Sequence, residues 1–251
     1  LKLKTPGIAG TIHWLGAQLI LTNVTGSFYG GKGNGFADFD FTAPHSGVDY
    51  QFSVEVTNVN LHSLSVDLSS ATNHLEGTFA GLLAVTNASS EDWRSWNGYG
   101  HVNLRDGLLW DIRLFSIMSP VMNAIIPGVG NSRATDASAK FSITNGMIST
   151  DSLEIRTKQM RLEYVGAVSL KQDVDARVTA QLLRDAPMIG PLISKALWPV
   201  SKLFEYKVTG TLADPKLEPV YVPTRILLLP LQIFRSVGDL LPGDSSNSTA
   251  P

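Results

Sequence analysis

Five histidines and one pair of neighbouring carboxylates are the first residues of this sequence to consider for catalysis or metal binding. The histidines are His13, His45, His62, His74 and His101. No two of them have the spacing of a metal-ligand motif such as His-Glu-x-x-His. Because His101 stands between Gly100 and Val102 in an alternating segment, we expect it to face solvent. The sequence therefore predicts no metal site.

Asp38 and Asp40 are two residues apart, a spacing that puts two carboxylates on one face of a strand. Phenylalanines alternate with them, so we interpret the pair as the solvent face of a half-buried strand. The glycine-rich run GGKGNG at 30–35 lacks the Gly-Lys-Ser/Thr of a phosphate loop and a following helix, which favours a hairpin turn. No serine lies in a Gly-x-Ser-x-Gly motif. We therefore predict no catalytic residues and no enzyme activity.

The composition points to more apolar material than one core needs. The 251-residue chain has 43 % hydrophobic and 17 % charged residues, and the charged share of an ordinary domain is about 25 %. The net charge of −2 and the lack of a Lys/Arg cluster argue against nucleic-acid binding. Cysteine is absent, which excludes disulfides and thiolate zinc sites. Either the surface is neutral and hydroxyl-rich, or part of the apolar material faces something other than a core.

The sequence shows no targeting or membrane-spanning segment. No stretch reaches the roughly 18 uninterrupted apolar residues of a membrane span, and no signal peptide is visible. The chain begins at Leu1 rather than at methionine. We therefore expect a fragment or processed chain whose targeting segment is missing.

Period-two alternation of apolar and polar residues dominates the chain and predicts strands with one apolar and one solvent face. Such strands are typical of antiparallel sheets. Turn signals such as Asn145-Gly146 and Asp106-Gly107 separate the strands. From about 139 to 182 the spacing predicts a meander of at least four strands. The apolar members of this meander are Phe141, Ile143, Leu153, Ile155, Met160, Leu162, Val168, Leu170, Val174, Val178 and Leu182.

Helical periodicity predicts two strongly apolar helices, at 108–126 and 188–204, and shorter ones at 60–71 and 224–240. A Leu-Arg-Asp triplet precedes each apolar helix, at 104–106 and 183–185. We expect each triplet to end a strand at the sheet's rim. The apolar helix faces contain Leu114, Ile117, Met118 and Val121, and Ile189, Leu192, Ile193 and Leu197. Since 13 of the 19 residues in 108–126 are apolar, this helix needs a partner on more than one side.

The predicted domain organisation has three parts. Residues 1–96 form a first β segment, and 97–243 form a segment that contains both Leu-Arg-Asp triplets. The last eight residues, 244–251, are a disordered tail by composition. We interpret the division near 96 as a repeat boundary rather than a linker.

Four segments of the chain, taken in order, resemble the C-terminal region of the AsmA-like family. YGHVNLRDGLLWDIRLFSIMSPVMNAIIP (99–127) is similar to its Gly-x-Val-x-Leu-x-Asp-Gly signature and the hydrophobic helix that follows. Residues 140–182 resemble the strands after that signature, and YKVTGTLADPKLEPVYVP (206–223) resembles the closing element. Residues 75–100 match the usual lead-in. The resemblance covers about 48–243 and is weaker over 1–47.

The resemblance implies a bacterial envelope protein whose long, twisted antiparallel sheet curls into an open apolar groove, with a few amphipathic helices. Similar proteins are implicated in phospholipid passage between the inner and outer membranes. The resemblance places the chain in the periplasm, anchored to the inner membrane by a segment absent from it. It implies no cofactor. The partners that it implies are phospholipids or other acyl-chain lipids, and membrane surfaces or membrane proteins at the ends of the groove.

In this interpretation the eleven apolar residues of the meander form the lipid-binding wall, and the two apolar helices are lids over it. Two other functions remain open. The chain is alternatively a structural or regulatory envelope protein with a dry core and no lipid cargo. A carbohydrate-active β-solenoid would need clustered carboxylates on one exposed face, which the sequence lacks.

Overall fold

The computed structural model of the protein describes residues 4–42, 47–68, 74–109, 112–125, 128, 130, 132–183 and 204–221. Within these residues, twelve antiparallel strands form one unclosed sheet, and their order in space is their order in sequence. This arrangement confirms the predicted mainly β fold. The strands are β1 Ala9–Leu15, β2 Gln18–Phe28, β3 Gly31–Asp40, β4 Asp49–Asn60, β5 Glu76–Ser89, β6 Asn97–Leu108, β7 Ala134–Thr144, β8 Met147–Arg156, β9 Met160–Ser169, β10 Val174–Leu182, β11 Phe204–Gly210 and β12 Pro215–Tyr221.

Strand pairing aligns the alternating residues so that the sheet has one continuous apolar face. Directly paired residues in an antiparallel sheet lie on the same face. One row of such partners crosses the sheet from β1 to β10 and contains only aliphatic residues, one phenylalanine and one glycine. The row is Ile12, Leu21, Ala37, Phe52, Val85, Gly98, Ile143, Ile148, Val168 and Val174.

The opposite face of the later strands is polar and carries cross-strand ion pairs. Arg161 on β9 contacts Glu154 on β8, and it lies 2.7 Å from Glu163. Arg177 on β10 lies 3.0 Å from Glu205 on β11. Pairs at a protein surface contribute little stability. Of the residues in these pairs, Glu205 is buried, and the others are exposed or half-buried.

Bulges and glycines bend the sheet. Register shifts interrupt the ladders, for example between Leu21 and Val24 and between Thr150 and Leu153, and each bulge increases the local twist. On β6, a Cβ atom added at Gly98 would lie 2.1 Å from the carbonyl oxygen of Ala84. At Gly100 it would lie 2.3 Å from the carbonyl oxygen of Leu82. Only glycine permits this close approach, so β5 and β6 curl toward each other.

The α-helices of the described residues are short and leave the sheet at one rim. They are α1 Leu61–Leu68, α2 Arg113–Ser116 and α3 Ser119–Ile125. α1 lies between β4 and β5, and α2 and α3 lie between β6 and β7. Because successive strands are antiparallel, these two connections are at the same end of the strands. The connection from β10 to β11 is at that end too, and most of it lies outside the described residues.

The predicted helix at 60–71 is present as α1, which begins at Leu61 because Asn60 still belongs to β4, and residues 69–71 lie outside the described residues. The predicted helix at 108–126 is wrong as a single element, because Leu108 still belongs to β6 and a turn at 117–118 separates α2 from α3. Pro120 has no N–H group, so it fits the first turn of α3 and not the interior of a longer helix. The predicted C-terminal bound of the helix at 188–204 is also wrong, because Phe204 is the first residue of β11 and pairs with Ala180 of β10. The rest of that helix and 224–240 lie outside the described residues.

The first Leu-Arg-Asp triplet lies within β6 and does not end it. Leu104 is buried, and Arg105 and Asp106 are exposed, as expected. Asp106 has a φ of 52° at a register shift between β5 and β6. The predicted Asp106-Gly107 turn is therefore a bulge, after which the strand continues to Leu108. Arg184 and Asp185 of the second triplet lie outside the described residues.

The sheet is continuous at the predicted division near residue 96. β5 and β6 lie on either side of it and pair along most of their length. The division into 1–96 and 97–243 stays a prediction, and the tail at 244–251 lies outside the described residues.

Candidate functional site

The apolar face of the sheet has a covered half and an open half. In the covered half, residues 112–125, called the lid segment below, pack on β7 to β11. Met118, Val121 and Met122 are buried in one cluster with residues of these strands, and Leu114 and Ile117 are half-buried against it. The cluster's largest buried strand residues are Ile155, Met160, Leu162, Tyr164, Val178 and Phe204.

The eleven residues predicted to form the lipid-binding wall are all in this later part of the sheet. Ile143, Ile155, Met160, Leu162, Val174 and Val178 are buried, and Phe141, Leu153, Val168 and Leu170 are half-buried. The strand pairings put them on the apolar face, except that Leu170 lies in the turn after β9. The backbone of Leu182 pairs with Met160. Their role in holding lipid stays a prediction.

The four lid residues predicted in 108–126 are Leu114, Ile117, Met118 and Val121. All four belong to the lid segment and pack in the same cluster as the wall residues. The other four, Ile189, Leu192, Ile193 and Leu197, lie outside the described residues. Tyr164 was not among the predicted site residues, although the Met160/Leu162/Tyr164 alternation marks it. It is 2 % exposed, and burial raises the pKa of its hydroxyl.

The open half is an apolar groove on β1 to β4. Its volume is about 400 Å³. Among the described residues that line it none is charged, and the lining includes Ile8, Leu21, Phe39, Phe52, Val54 and Val56. Next to it on β1, Ile12 is 69 % and Trp14 is 66 % exposed, although both lie on the apolar face. Large apolar side chains in such a continuous exposed patch mark a binding surface.

The groove exists because glycines replace side chains in its floor. Gly26 of β2 pairs with Gly33 of β3, and Gly33 pairs with Val56 of β4. Two residues further along β3, Gly35 pairs with Val24 of β2 and with Val54 of β4. A Cβ atom added at Gly33 would have its nearest neighbour 3.7 Å away, whereas at Gly35 it would lie 2.5 Å from the carbonyl oxygen of Ser53. The absence of side chains at the three glycines keeps the floor low between the aliphatic residues on either side.

One end of the groove is aromatic. Trp14 stacks on Phe41 with ring centroids 6.3 Å apart, and Phe52 meets Trp96 edge-on at 6.0 Å. The indole N–H of Trp96 donates to the hydroxyl of Tyr50 over 3.0 Å. These rings combine a large apolar surface with a polar edge. They give this end of the groove both apolar contact and hydrogen-bonding capacity.

The other end of the groove is polar. Lys4 and Tyr29, the neighbours of lining residues Thr5 and Phe28, bond to Asp67 of α1 over 3.0 Å and 2.9 Å. The hydrogen bond from Lys4, and then that from Tyr29, lowers the pKa of the Asp67 carboxyl. The charges of Lys4 and Asp67 balance each other.

The sequence analysis did not predict the open half as the site. Its alternation at 8–14 and 52–56 had predicted strands, but strands alone do not show which part of a face stays uncovered. The one sequence feature that could have indicated the open half is Trp14, a large aromatic residue at an apolar position of the 8–14 alternation. Among the residues that the structure describes, no group of three His, Cys, Asp or Glu is placed to hold a metal ion. In the same residues, no helix has the length and apolar character needed to cross a membrane.

The fold and the site together define an open antiparallel sheet with one apolar face, half of it covered by the chain's own helices. Asp38, one of the two carboxylates considered for catalysis, accepts a hydrogen bond from Gln18 over 2.9 Å on the opposite face. No family model, no curated protein and no solved structure matches the chain.

Proposed function

We propose that this chain is a lipid-binding groove module, and that the open half of the apolar face holds the acyl chains of its ligand. The observation that carries the proposal is the groove on β1 to β4, which the described residues leave uncharged and uncovered while the lid segment covers the other half. Its volume of about 400 Å³ falls in the range of roughly 300–1,000 Å³ found for small-molecule sites.

The energetics favour an acyl chain as the occupant. Each buried CH₂ group contributes about 0.8 kcal/mol, so a lipid tail gains affinity along the whole groove without any specific polar contact. The ligand also covers exposed apolar side chains such as Ile8 and Val54. Since the groove has no charged lining, the headgroup stays outside it.

The resemblance to the AsmA-like family supports a more specific proposal. The module belongs to a bacterial envelope protein in the periplasm, and its lipid is a phospholipid that passes between the inner and outer membranes. In the whole protein an inner-membrane anchor and membrane contacts at the groove ends accompany it. The chain itself carries out no chemical reaction in this proposal, because transfer requires only binding and release.

A second function is favoured by the covered half. There the apolar face is a dry core, with Met118, Ile155 and Leu162 at most 1 % exposed. A structural or regulatory envelope protein that holds no lipid would have this packing. Its open half would then contact another protein.

Measuring bound lipid in a matched pair of variants separates the two functions. Val54 is 44 % exposed in the open half, and Val165 is 49 % exposed on the opposite face. We expect Val54→Asp to lose most of the lipid bound per folded protein, since it puts a charge into the groove. Val165→Asp should bind as the unchanged protein does. Lipid extraction and native mass spectrometry measure the content, and circular dichroism controls for folding. Equal lipid content in the two variants, or none in the unchanged protein, favours the structural function.

A further inference from the structure

The hydroxyl of Tyr164 is buried without a hydrogen-bond partner among the described residues. Tyr164 lies in the middle of β9, where its direct partners are Leu153 on β8 and Val178 on β10. The residue is only 2 % exposed. Buried polar atoms nearly always have a partner, and an unpaired one in a folded chain requires an explanation. Phenylalanine would fill this position without leaving a polar atom unpaired.

Burial keeps this hydroxyl a hydrogen-bond donor. Desolvation raises the pKa of Tyr164, so the group stays protonated at all physiological pH values. Within the described part of the chain, the proton of this hydroxyl is free for a ligand that presents an acceptor, such as a carbonyl oxygen. Because the neighbours of Tyr164 on the sheet are aliphatic, the rest of the ligand must be apolar.

The lid segment covers Tyr164 through adaptable apolar contacts. The ring of Phe115 meets the Tyr164 ring edge-on at 5.6 Å, and Met118 and Met122 are fully buried in the same cluster. Methionine side chains repack easily around a different neighbour. Asn123 accepts a hydrogen bond from the Gly130 N–H over 2.8 Å, a contact within the connection that carries the lid. This contact can persist when the lid moves off the sheet.

We propose that Tyr164 is the polar anchor of a second lipid subsite beneath the lid segment, where its hydroxyl donates a hydrogen bond to the ester carbonyl oxygen of an acyl-chain lipid. The inference rests on the proposed function and adds to it the chemical class of the lipid, an ester-linked one. The continuous apolar face connects this subsite with the open half. An acyl chain that enters over β1 to β4 displaces the lid as it advances. The carbonyl then reaches Tyr164.

A comparison of ester and ether lipids tests this contact. The purified chain is incubated with vesicles of a diester phosphatidylcholine or of the diether analogue with the same chain length, which lacks the carbonyl oxygens. Native mass spectrometry then measures bound lipid per folded protein. We expect the unchanged protein to prefer the diester by about fivefold, the effect of one net hydrogen bond. Tyr164→Phe should bind both lipids equally. Tyr99→Phe, the same change at an exposed tyrosine on the opposite face, should keep the preference.

Tyr164→Phe is expected to fold, because it removes an unpaired buried hydroxyl and leaves the ring in place. A lower midpoint of urea unfolding in this variant would reveal a structural partner for the hydroxyl and overturn the inference. An equal affinity of the unchanged protein for the two lipids would overturn it as well, as would a preference that survives in Tyr164→Phe. In these cases the proposed function would still hold if the unchanged protein binds lipid and Val54→Asp abolishes that binding. If the unchanged protein binds neither lipid, the proposed function fails, and this inference fails with it.

Discussion

At the scale of single residues, two glycines of the apolar face differ in the space beside their Cα atoms. A Cβ atom at Gly100 would lie 2.3 Å from the Leu82 carbonyl oxygen and 2.4 Å from the Phe141 ring. At Gly33 the nearest atom would be 3.7 Å away, in Val56, which is ordinary van der Waals contact. Gly100 is therefore needed for the bend between β5 and β6. Gly33 is needed for the empty floor of the groove.

This difference predicts opposite effects of the same substitution. We expect Gly100→Ala to lower the free energy of unfolding by roughly 1–3 kcal/mol, since backbone and a packed ring must shift. Gly33→Ala should leave stability unchanged or raise it by about 0.4–1 kcal/mol, because alanine restricts the unfolded chain. Urea unfolding midpoints measure both changes. Equal destabilisation by the two variants would contradict the assigned curvature at Gly100.

At the scale of elements, the lid segment determines which half of the face is closed. Its two short helices follow β6 and return to cover strands that come later in the sequence. In the Leu-Arg-Asp triplet that precedes the lid segment, Leu104 is buried, and Arg105 and Asp106 are exposed to solvent. The contacts between lid and wall are apolar, so their strength depends on the area buried and not on specific pairs.

Truncating a buried lid residue should therefore have a large effect. Met122 is 0 % exposed, and we expect Met122→Ala to lower the free energy of unfolding by roughly 2–5 kcal/mol. Met147, at the start of β8, is 38 % exposed, and Met147→Ala should change stability by less than about 0.5 kcal/mol. Both are measured by urea unfolding. A small effect at Met122 would show that the lid does not pack on the sheet.

At the scale of the whole molecule, the sequence predicted the sheet and its faces but not the position of the open groove. Alternation correctly put Phe141, Ile155 and Val178 on one face, because the two-residue period of a strand is local. The Asn145-Gly146 turn was also predictable, since both residues adopt the positive φ values of 52° and 72° that a tight hairpin requires.

Local alternation could not predict which part of the apolar face the lid segment covers, because that depends on contacts between distant parts of the chain. Helical periodicity in 108–126 showed an apolar element but not the strands that it covers. Helical periodicity also extended the predicted helix at 188–204 as far as Phe204. That residue belongs to β11 because it pairs with Ala180, a contact between distant parts of the chain that periodicity does not show.

The most direct test of the central claim is to locate a bound acyl chain on the sheet. A phospholipid with a diazirine group in its acyl chain is bound to the purified protein and photoactivated, and the adducts are mapped by peptide mass spectrometry. We predict adducts on the apolar face of β1 to β4, for example at Leu21, Phe39 and Val54. Residues exposed on the opposite face, such as Tyr99 and Val165, should carry none. Adducts distributed equally over both faces, or absent from β1 to β4, would contradict a lipid-binding groove.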